Sequence, residues 1–312
     1  MTVSSTIERG SPPRAAYRKN ASPRARQDRW TFLGLSAPSV ALLVLIYAYP
    51  IGFAFYQSLH NGTLINLGEF IGAGNYVDNV VAPDFWRAAL FTVLFTLIGT
   101  AGSWFVGLMM AMLLQTKTRG TAAFKVLLLL PWVVPVMVSA MAWNWMIATP
   151  NSLIPMMLTS LGMESPAFLA DPILAAILVF AFKIWYSFPF MMMMSSSALA
   201  AVDTTVYEAS SVDGATKFQQ FRHITLPLIR PTTTISCTLM VIFCVNDFPT
   251  IFLLTNGGPV NATTTLILLA YQYVFMNNQV GAGTAIAFMT TLLLAVISIV
   301  MYRQIRKSSM AE

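Results

Sequence analysis

Side chains that could do chemistry are few in this 312-residue sequence. It contains no G-x-x-x-x-G-K-[ST] segment to hold nucleotide phosphates and no H-E-x-x-H pair to hold zinc. The two cysteines, Cys237 and Cys244, lie within one apolar run, at a spacing typical of neither a disulfide framework nor a metal site. We therefore predict no catalytic residue, no metal site and no cofactor held by this chain.

Two ionisable residues, Lys183 and Asp247, each interrupt an otherwise uncharged apolar stretch. A charge near the centre of a bilayer costs roughly 2.5–3.5 kcal/mol, so each needs a partner or water. Either the two form a structural ion pair, or they line a water-filled cavity and hydrogen-bond a solute. We favour the cavity for Asp247 because Asn246 adjoins it, and we include Lys183 as a further candidate for the same path. A third possibility is that Asp247 carries protons in a secondary transporter.

The composition places these residues in a membrane protein. Apolar residues make up 56% of the chain and charged residues only 10%, whereas soluble domains carry about 25% charged residues. A helix needs roughly 20 apolar residues to cross the hydrocarbon core. Six stretches qualify, which predicts an all-α integral membrane protein with six transmembrane helices: 31–59, 88–116, 126–149, 173–194, 232–255 and 282–301.

The basic residues predict the orientation of these six spans. Of the 18 Lys and Arg residues, 16 lie before the first span, in the second and fourth connections, or after the last span. This asymmetry predicts that both termini and the 195–230 connection face the cytoplasm. The basic charge then reports topology and not a nucleic-acid partner. We expect a disordered basic tail over 1–30, a six-span domain over 31–305 and a cytoplasmic tail over 306–312.

The longest cytoplasmic connection, 195–230, is predicted to hold two short helices. Asp203 is a plausible N-cap of the first helix, and Gly214 follows its end. Thr216 and Gln219 have the spacing of a capping box at the start of the second. We expect Pro227 to end that helix and Pro231 to begin span five. Periodicity alone leaves open whether this helix-turn-helix docks on a partner or packs beneath its own bundle.

The residue pattern of this connection resembles the loop signature of the permease subunits of ABC importers. Residues 208–227 read EASSVDGATKFQQFRHITLP, and the matching positions are Glu208, Ala209, Gly214, Ile224, Leu226 and Pro227, with Ser210 in place of a second alanine. Residues 246–259, NDFPTIFLLTNGGP, resemble the end of span five in the carbohydrate-type permeases of this family, which include maltose and glycerol-phosphate types. The resemblance covers roughly 30–305. The short 60–85 connection favours the plain six-span subtype.

The resemblance implies a location and partners as well as a fold: a multi-pass protein in the plasma or inner membrane of a prokaryotic cell. In that family, the loop lies in a groove of a cytoplasmic ATPase, where Glu208 and Asp213 could pair with basic residues. ATP and Mg²⁺ would be bound by two ATPase subunits, so this chain would not itself be an enzyme. A second homologous permease would complete the path, and an extracytoplasmic solute-binding protein would deliver a carbohydrate or similar solute. The proton-coupled alternative leaves the 195–230 loop without a purpose.

Overall fold

The computed structural model describes residues 23–115, 120–164 and 166–309, and within these ranges the chain is almost entirely helical. An isolated antiparallel bridge joins His60 and Phe70. The helices are α1 Pro23–Ser58, α2 Gly74–Val81, α3 Pro83–Leu113, α4 Thr121–Val133, α5 Val136–Ile147, α6 Leu153–Ser160, α7 Pro172–Ala200, α8 Thr204–Val212, α9 Lys217–Gln220, α10 Leu226–Val245, α11 Phe248–Leu254, α12 Leu266–Tyr271 and α13 Val280–Ser309. π-helical turns, Phe221–Thr225 and Gln272–Met276, follow α9 and α12.

The described residues contain five helices long and apolar enough to cross a membrane, namely α1, α3, α7, the helix running from α9 through α10, and α13. The bent pair α4 and α5 passes the same test together, which gives up to six spans. This agrees with the predicted all-α membrane fold. The first and last apolar spans, Gly34–Ser58 and Val280–Met301, lie close to the predicted ones, but their helices are longer, since α1 begins at Pro23 and α13 continues to Ser309. The rest of the basic tail predicted as disordered, 1–22, lies outside the described residues, as do 310–312.

The chain divides into two compact units, one up to Phe53 and one from Ala54 onwards. In the first unit, the apolar side chains of α1 are exposed; Leu45, for example, is 76% exposed. Such a surface suits contact with lipid tails. The remaining helices, with the end of α1, form the second unit.

The predicted third span, 126–149, corresponds to the bent pair α4 and α5 and is not one straight helix. The helix is interrupted at Val134 and Pro135, and the angle between α4 and α5 is 89°. Pro135 has no N–H, and its ring disfavours a helical conformation at the residue before it, so Val134 is extended with ψ of 133°. Pro131, by contrast, lies inside α4, as Pro189 lies inside α7.

Span five also differs from the prediction of 232–255. It ends at Val245, and Asn246 and Asp247 separate it from the short helix α11. At its start, Pro227 does not end a helix and Pro231 does not begin one, because the helix runs unbroken from Lys217 to Val245. The π-helical turn at Phe221–Thr225 ends two residues before Pro227, and such a turn changes the local helix path that this proline would otherwise obstruct. The predicted 195–230 loop shortens to 201–225 outside the long helices α7 and α10.

Helices α3 and α7 form the centre of the second unit, and a stripe of small residues on α3 lets them approach. A Cβ atom added at Gly99 would lie 3.1 Å from Cγ of Lys183. One added at Gly107 would lie 2.7 Å from both Cβ of Met191 and the backbone nitrogen of Met192. From the first contact to the second, the residue number rises by the same amount on α3 and on α7, so the two helices run in the same direction.

Candidate functional site

The first candidate site is the segment 201–225, which carries most of the predicted loop motif. Asp203 caps α8, since its Oδ1 accepts from the backbone N–H of Thr205 at 2.9 Å. This hydrogen bond holds the pKa of the Asp203 carboxyl below its ordinary value, because it favours the ionised form. Gly214 has φ of +81°, a left-handed conformation that suits glycine at a helix end. The predicted cap and the predicted glycine turn are both confirmed.

The second short helix starts with the predicted capping box. The backbone N–H of Gln219 donates to Oγ1 of Thr216 at 3.3 Å, and the N–H of Thr216 donates to Oε1 of Gln219 at 2.8 Å. These reciprocal bonds satisfy two backbone donors that the first turn of a helix leaves unpaired. The capping box predicted from the sequence is confirmed.

Gln220 links the two short helices, and the sequence reasoning missed it. Its side chain is buried, and Nε2 donates to the hydroxyl oxygens of Ser210 at 2.9 Å and Ser211 at 2.8 Å. Tyr207 adds a second link, since its hydroxyl lies 3.0 Å from Oγ1 of Thr225. An uncharged Gln on a helix otherwise rich in exposed polar residues gives no signal of such a role. These bonds tie α8 to the start of the long helix.

The apolar side chains within the segment 201–225 and directly beside it have two kinds of surroundings. Leu199 is buried among α3 and α7 side chains, and Val202, Phe221 and Leu226 pack against the same cluster. Two others project outward, with Val212 89% and Phe218 69% exposed. The segment therefore packs on its own bundle along one side and presents an apolar surface on the other.

The motif residues frame that outward surface. Glu208, Ala209, Asp213, Gly214 and Pro227 are exposed. Ser210, Ile224 and Leu226 are half-buried, and a shallow cavity of about 350 Å³ lies between Asp213 and Ile224. The structure thus places the predicted acidic residues Glu208 and Asp213 where a partner could reach them.

The second candidate site is the pair Lys183 and Asp247. Nζ of Lys183 lies 2.6 Å from Oδ2 of Asp247, and the two side chains are 5% and 7% exposed. Oδ1 of Asp247 accepts from the backbone N–H of Thr250 at 3.1 Å, and Oδ2 accepts from its hydroxyl at 2.9 Å. The structure therefore shows the ion pair of the first alternative. Asn246, in contrast, is exposed and donates to the carbonyl oxygen of Ile242 at 2.9 Å.

The short helix α11 is fixed at both ends. Asp247 caps its start, and the side chain of Asn144 on α5 donates to the carbonyl oxygen of Leu254 at 2.8 Å, at its end. The ion pair links that start to α7. The two broken spans thus support each other where each departs from a straight path.

Among the described residues, no group of three or more His, Cys, Asp or Glu side chains is placed to hold a metal ion.

Comparison with known proteins places these features in one family. The family of binding-protein-dependent transport system inner membrane components matches residues 103–309. The trehalose/maltose transport system permease protein MalF of Thermococcus litoralis is 32% identical over 264 residues, covering 84% of this chain and 89% of that protein. The sulfoquinovosyl glycerol transport system permease protein SmoG of Agrobacterium fabrum is 31% identical over 304 residues, covering 95% and 99%.

A solved structure shows the same fold. It is a bacterial ABC transporter involved in the import of the acidic polysaccharide alginate, and a chain of it matches with a TM-score of 0.78 at 18% identity, covering 91% of this chain and 98% of that one. The family match lies on the residues that carry both candidate sites. This chain belongs to the family of binding-protein-dependent transport system inner membrane components, and it is a multi-pass membrane permease.

Proposed function

We propose that this chain is the permease subunit of an ATP-driven importer of a carbohydrate or carbohydrate-like solute. The loop motif over 208–227 carries this proposal, because Glu208, Asp213 and Gly214 are exposed in it and the loop it resembles docks on the ATPase that supplies energy. The solute class follows from the relatives, whose names refer to trehalose, maltose, sulfoquinovosyl glycerol and alginate. The proton-coupled alternative loses its support, since Asp247 is buried and engaged by Lys183 and Thr250.

The proposed assembly contains this chain, a second homologous permease, two ATPase subunits that bind ATP and Mg²⁺, and an extracytoplasmic solute-binding protein. Glu208 and Asp213 are exposed and acidic, so they suit basic residues on the ATPase. Val212 and Phe218 supply apolar contact area beside them. Interfaces of this kind combine a small apolar centre with a charged rim.

The proposed coupling of ATPase motion to transport uses two links. Gln220 ties α8 to α9, so the segment moves as one body. From Lys217 the helix runs unbroken to Val245, so a displacement of the segment passes directly along span five. Span five ends at Asn246 and Asp247, where the ion pair connects it to α7. Rigid-body movement of packed helices is a known means of alternating access.

The solute path is a further part of the proposal. Asn246 is the exposed polar residue at the break after span five, and Lys183 and Asp247 lie at the same break. We assign Asn246 to direct contact with the solute. The ion pair would position Asn246. The pair itself would face the solute path only when the helices around it move apart.

Substitution at Gly214 tests the proposed docking. The residue has φ of +81°, and a Cβ atom there would have no neighbour within 4 Å, so Gly214→Val strains the turn without causing a clash. Gly162 is a matched control, with φ of +75° and equally open surroundings, in the connection after α6 that the proposed topology places on the opposite face. In the complex reconstituted in lipid, solute-stimulated ATP hydrolysis should fall strongly in Gly214→Val and persist in Gly162→Val. Equal hydrolysis in the two variants would contradict the proposal.

A further inference from the structure

A cavity of about 440 Å³ lies where the loop after α1, the helix α2 and the residues before α13 meet. It shares no residue with the 201–225 segment or with the ion pair. Its volume is within the range of small-molecule sites, roughly 300–1,000 Å³. Five of its twelve lining residues carry carboxamide side chains: Asn61, Asn75, Asn79, Asn278 and Gln279.

Two of the lining asparagines, Asn75 and Asn79, are buried and lie on α2. Nδ2 of Asn75 donates to the carbonyl oxygens of Ser58 and His60, both at 2.8 Å, and Nδ2 of Asn79 donates to that of Ala282 at 3.0 Å. Asn75 is 7% exposed and Asn79 only 3%. Both hydrogens on Nδ2 of Asn75 and one on Nδ2 of Asn79 are engaged, and the two carboxamide oxygens remain as acceptors. Within the described part of the chain, no hydrogen bond engages either oxygen.

Two asparagines on the loops have the reverse arrangement. Oδ1 of Asn61 accepts from the backbone N–H of Glu69 at 2.6 Å, and Oδ1 of Asn278 accepts from that of Leu64 at 2.9 Å. Their amide NH₂ groups therefore remain as donors. The cavity thus has acceptors on the α2 side and donors on the loop side.

This mixture selects the chemistry of a ligand. A hydroxyl group both donates and accepts, so a ligand with several hydroxyls can satisfy both sets. An apolar ligand would leave buried amide groups unpaired, which is costly. An anion would face two carboxamide oxygens and the carboxylate of Asp78, which also lines the cavity.

The wall that carries these groups is built tightly. Gly281, the second residue of α13, packs against the backbone of His60, and a Cβ atom at Gly281 would overlap the carbonyl oxygen of that residue. The N–H of Val280 donates to the carbonyl oxygen of Gly62 at 2.9 Å. These contacts hold the loop against the start of α13, so the amides are positioned before a ligand arrives.

We propose that this cavity binds a neutral polyhydroxylated solute, a sugar or a polyol, at the extracytoplasmic mouth of the permease. The extracytoplasmic position and the link to import rest on the proposed function. The preference for neutral hydroxylated ligands rests on the carboxamide groups that line the cavity and on the carboxylate of Asp78.

Direct binding of two probes tests the proposal. The full chain in lipid nanodiscs is titrated with trehalose and, separately, with glucuronate, and binding is followed by saturation-transfer difference NMR. We expect saturable binding of trehalose and weaker binding of glucuronate. Gln279→Leu and Asn79→Leu should each weaken trehalose binding about fivefold, the effect of losing one hydrogen bond.

The variants are chosen to separate binding from folding. Gln279 is exposed, and within the described residues its side chain makes no hydrogen bond, so Gln279→Leu should keep the melting temperature of the parent chain. Asn277→Leu is the matched control, since Asn277 is an exposed neighbour that does not line the cavity. No saturable trehalose binding, or equal weakening by Asn277→Leu, would overturn the proposal.

Two further outcomes distinguish this site from the proposed function. The binding assay contains no ATPase and is therefore independent of import. If trehalose binds in this assay but the complete reconstituted complex shows no ATP-driven import, the proposed function is contradicted and the cavity assignment stands. If trehalose does not bind and Gln279→Leu abolishes capture of the cognate solute-binding protein, the cavity is a docking site for that protein and the proposed sugar site is disproved.

Discussion

Lys183 and Asp247 form a buried ion pair that joins α7 to the break between α10 and α11, with Nζ and Oδ2 2.6 Å apart. Asp247 uses its other oxygen to cap α11. Gly99 of α3 leaves the space that the Lys183 stem occupies, and the ring of Phe95 lies 5.7 Å from Nζ. One residue pair thus connects three of the long helices and the short helix α11.

We predict that the pair stabilises the fold as a unit. Lys183→Met should lower the free energy of unfolding by about 3–5 kcal/mol, because it leaves a buried carboxylate without its partner. Asp247→Asn should also lower the free energy of unfolding, because it leaves the buried Lys183 ammonium without its charged partner. The double variant, Lys183→Met with Asp247→Asn, should be more stable than Lys183→Met alone, because neither charge remains. Thermal unfolding in nanodiscs gives the comparison.

The same variants separate a structural role from a role in the solute path. A double variant that folds at the parent melting temperature but fails to transport would indicate that the charges also act in transport. If the double variant is no more stable than Lys183→Met, the two side chains do not depend on each other, and the ion pair is not a stabilising unit.

Part of this arrangement could be read from the sequence. The spans follow from apolar length, and the caps at Asp203 and Thr216 and the turn at Gly214 follow from residue types that act within a few positions. The pairing of Lys183 with Asp247 remained open because sequence gives the depth of each residue in the bilayer. It does not give the face of the helix on which each residue lies.

The prolines show why the helix boundaries could not all be predicted. Pro135 breaks a span, whereas Pro131, four residues earlier, lies inside a helix. Pro227 follows a π-helical turn and leaves the helix unbroken. Each proline removes one donor, but whether the helix stops depends on the backbone and the neighbours around that donor. Such surroundings are set by tertiary packing.

The contact between α3 and α7 leads to a second prediction. Gly107→Ala should destabilise the fold by about 1–3 kcal/mol, since its Cβ would meet the backbone of Met192 and the helices would have to separate. Gly52→Ala on α1 is the control, because a Cβ there has no neighbour within 4 Å among the described residues of its own unit. The melting temperatures of the two variants check this. A loss of stability confined to Gly52→Ala, or absent from both, would contradict close packing at Gly107.

The bond from Asn144 to Leu254 leads to a third prediction. Asn144→Leu removes the donor that satisfies the end of α11 and leaves its carbonyl oxygen unpaired, at a cost of about 1–3 kcal/mol. Hydrogen exchange should therefore speed up in α11 and leave α7 unchanged. Asn277→Leu makes the same chemical change at an exposed position and should alter neither. Unchanged exchange in α11 would show that this bond does not hold the helix.

Gln220 leads to a fourth prediction, which concerns the link between the two short helices. Gln220→Leu keeps a buried side chain of similar size but removes both bonds to the hydroxyls of Ser210 and Ser211. Each lost bond weakens the link by about 0.5–1.5 kcal/mol and leaves α8 freer to move relative to α9. Spin labels at the exposed residues Val212 and Phe218 should therefore report a broader distance distribution in electron resonance measurements.

In the reconstituted complex, the same variant should hydrolyse ATP while importing less solute for each ATP, because the segment no longer moves as one body. Gln219→Leu is the comparison, since it removes the capping box and leaves the link between the helices in place. It should shorten α9 without broadening the distances to the same extent. A narrow distribution in Gln220→Leu, together with parent-like import, would show that Tyr207 and its bond to Thr225 suffice to hold the segment together.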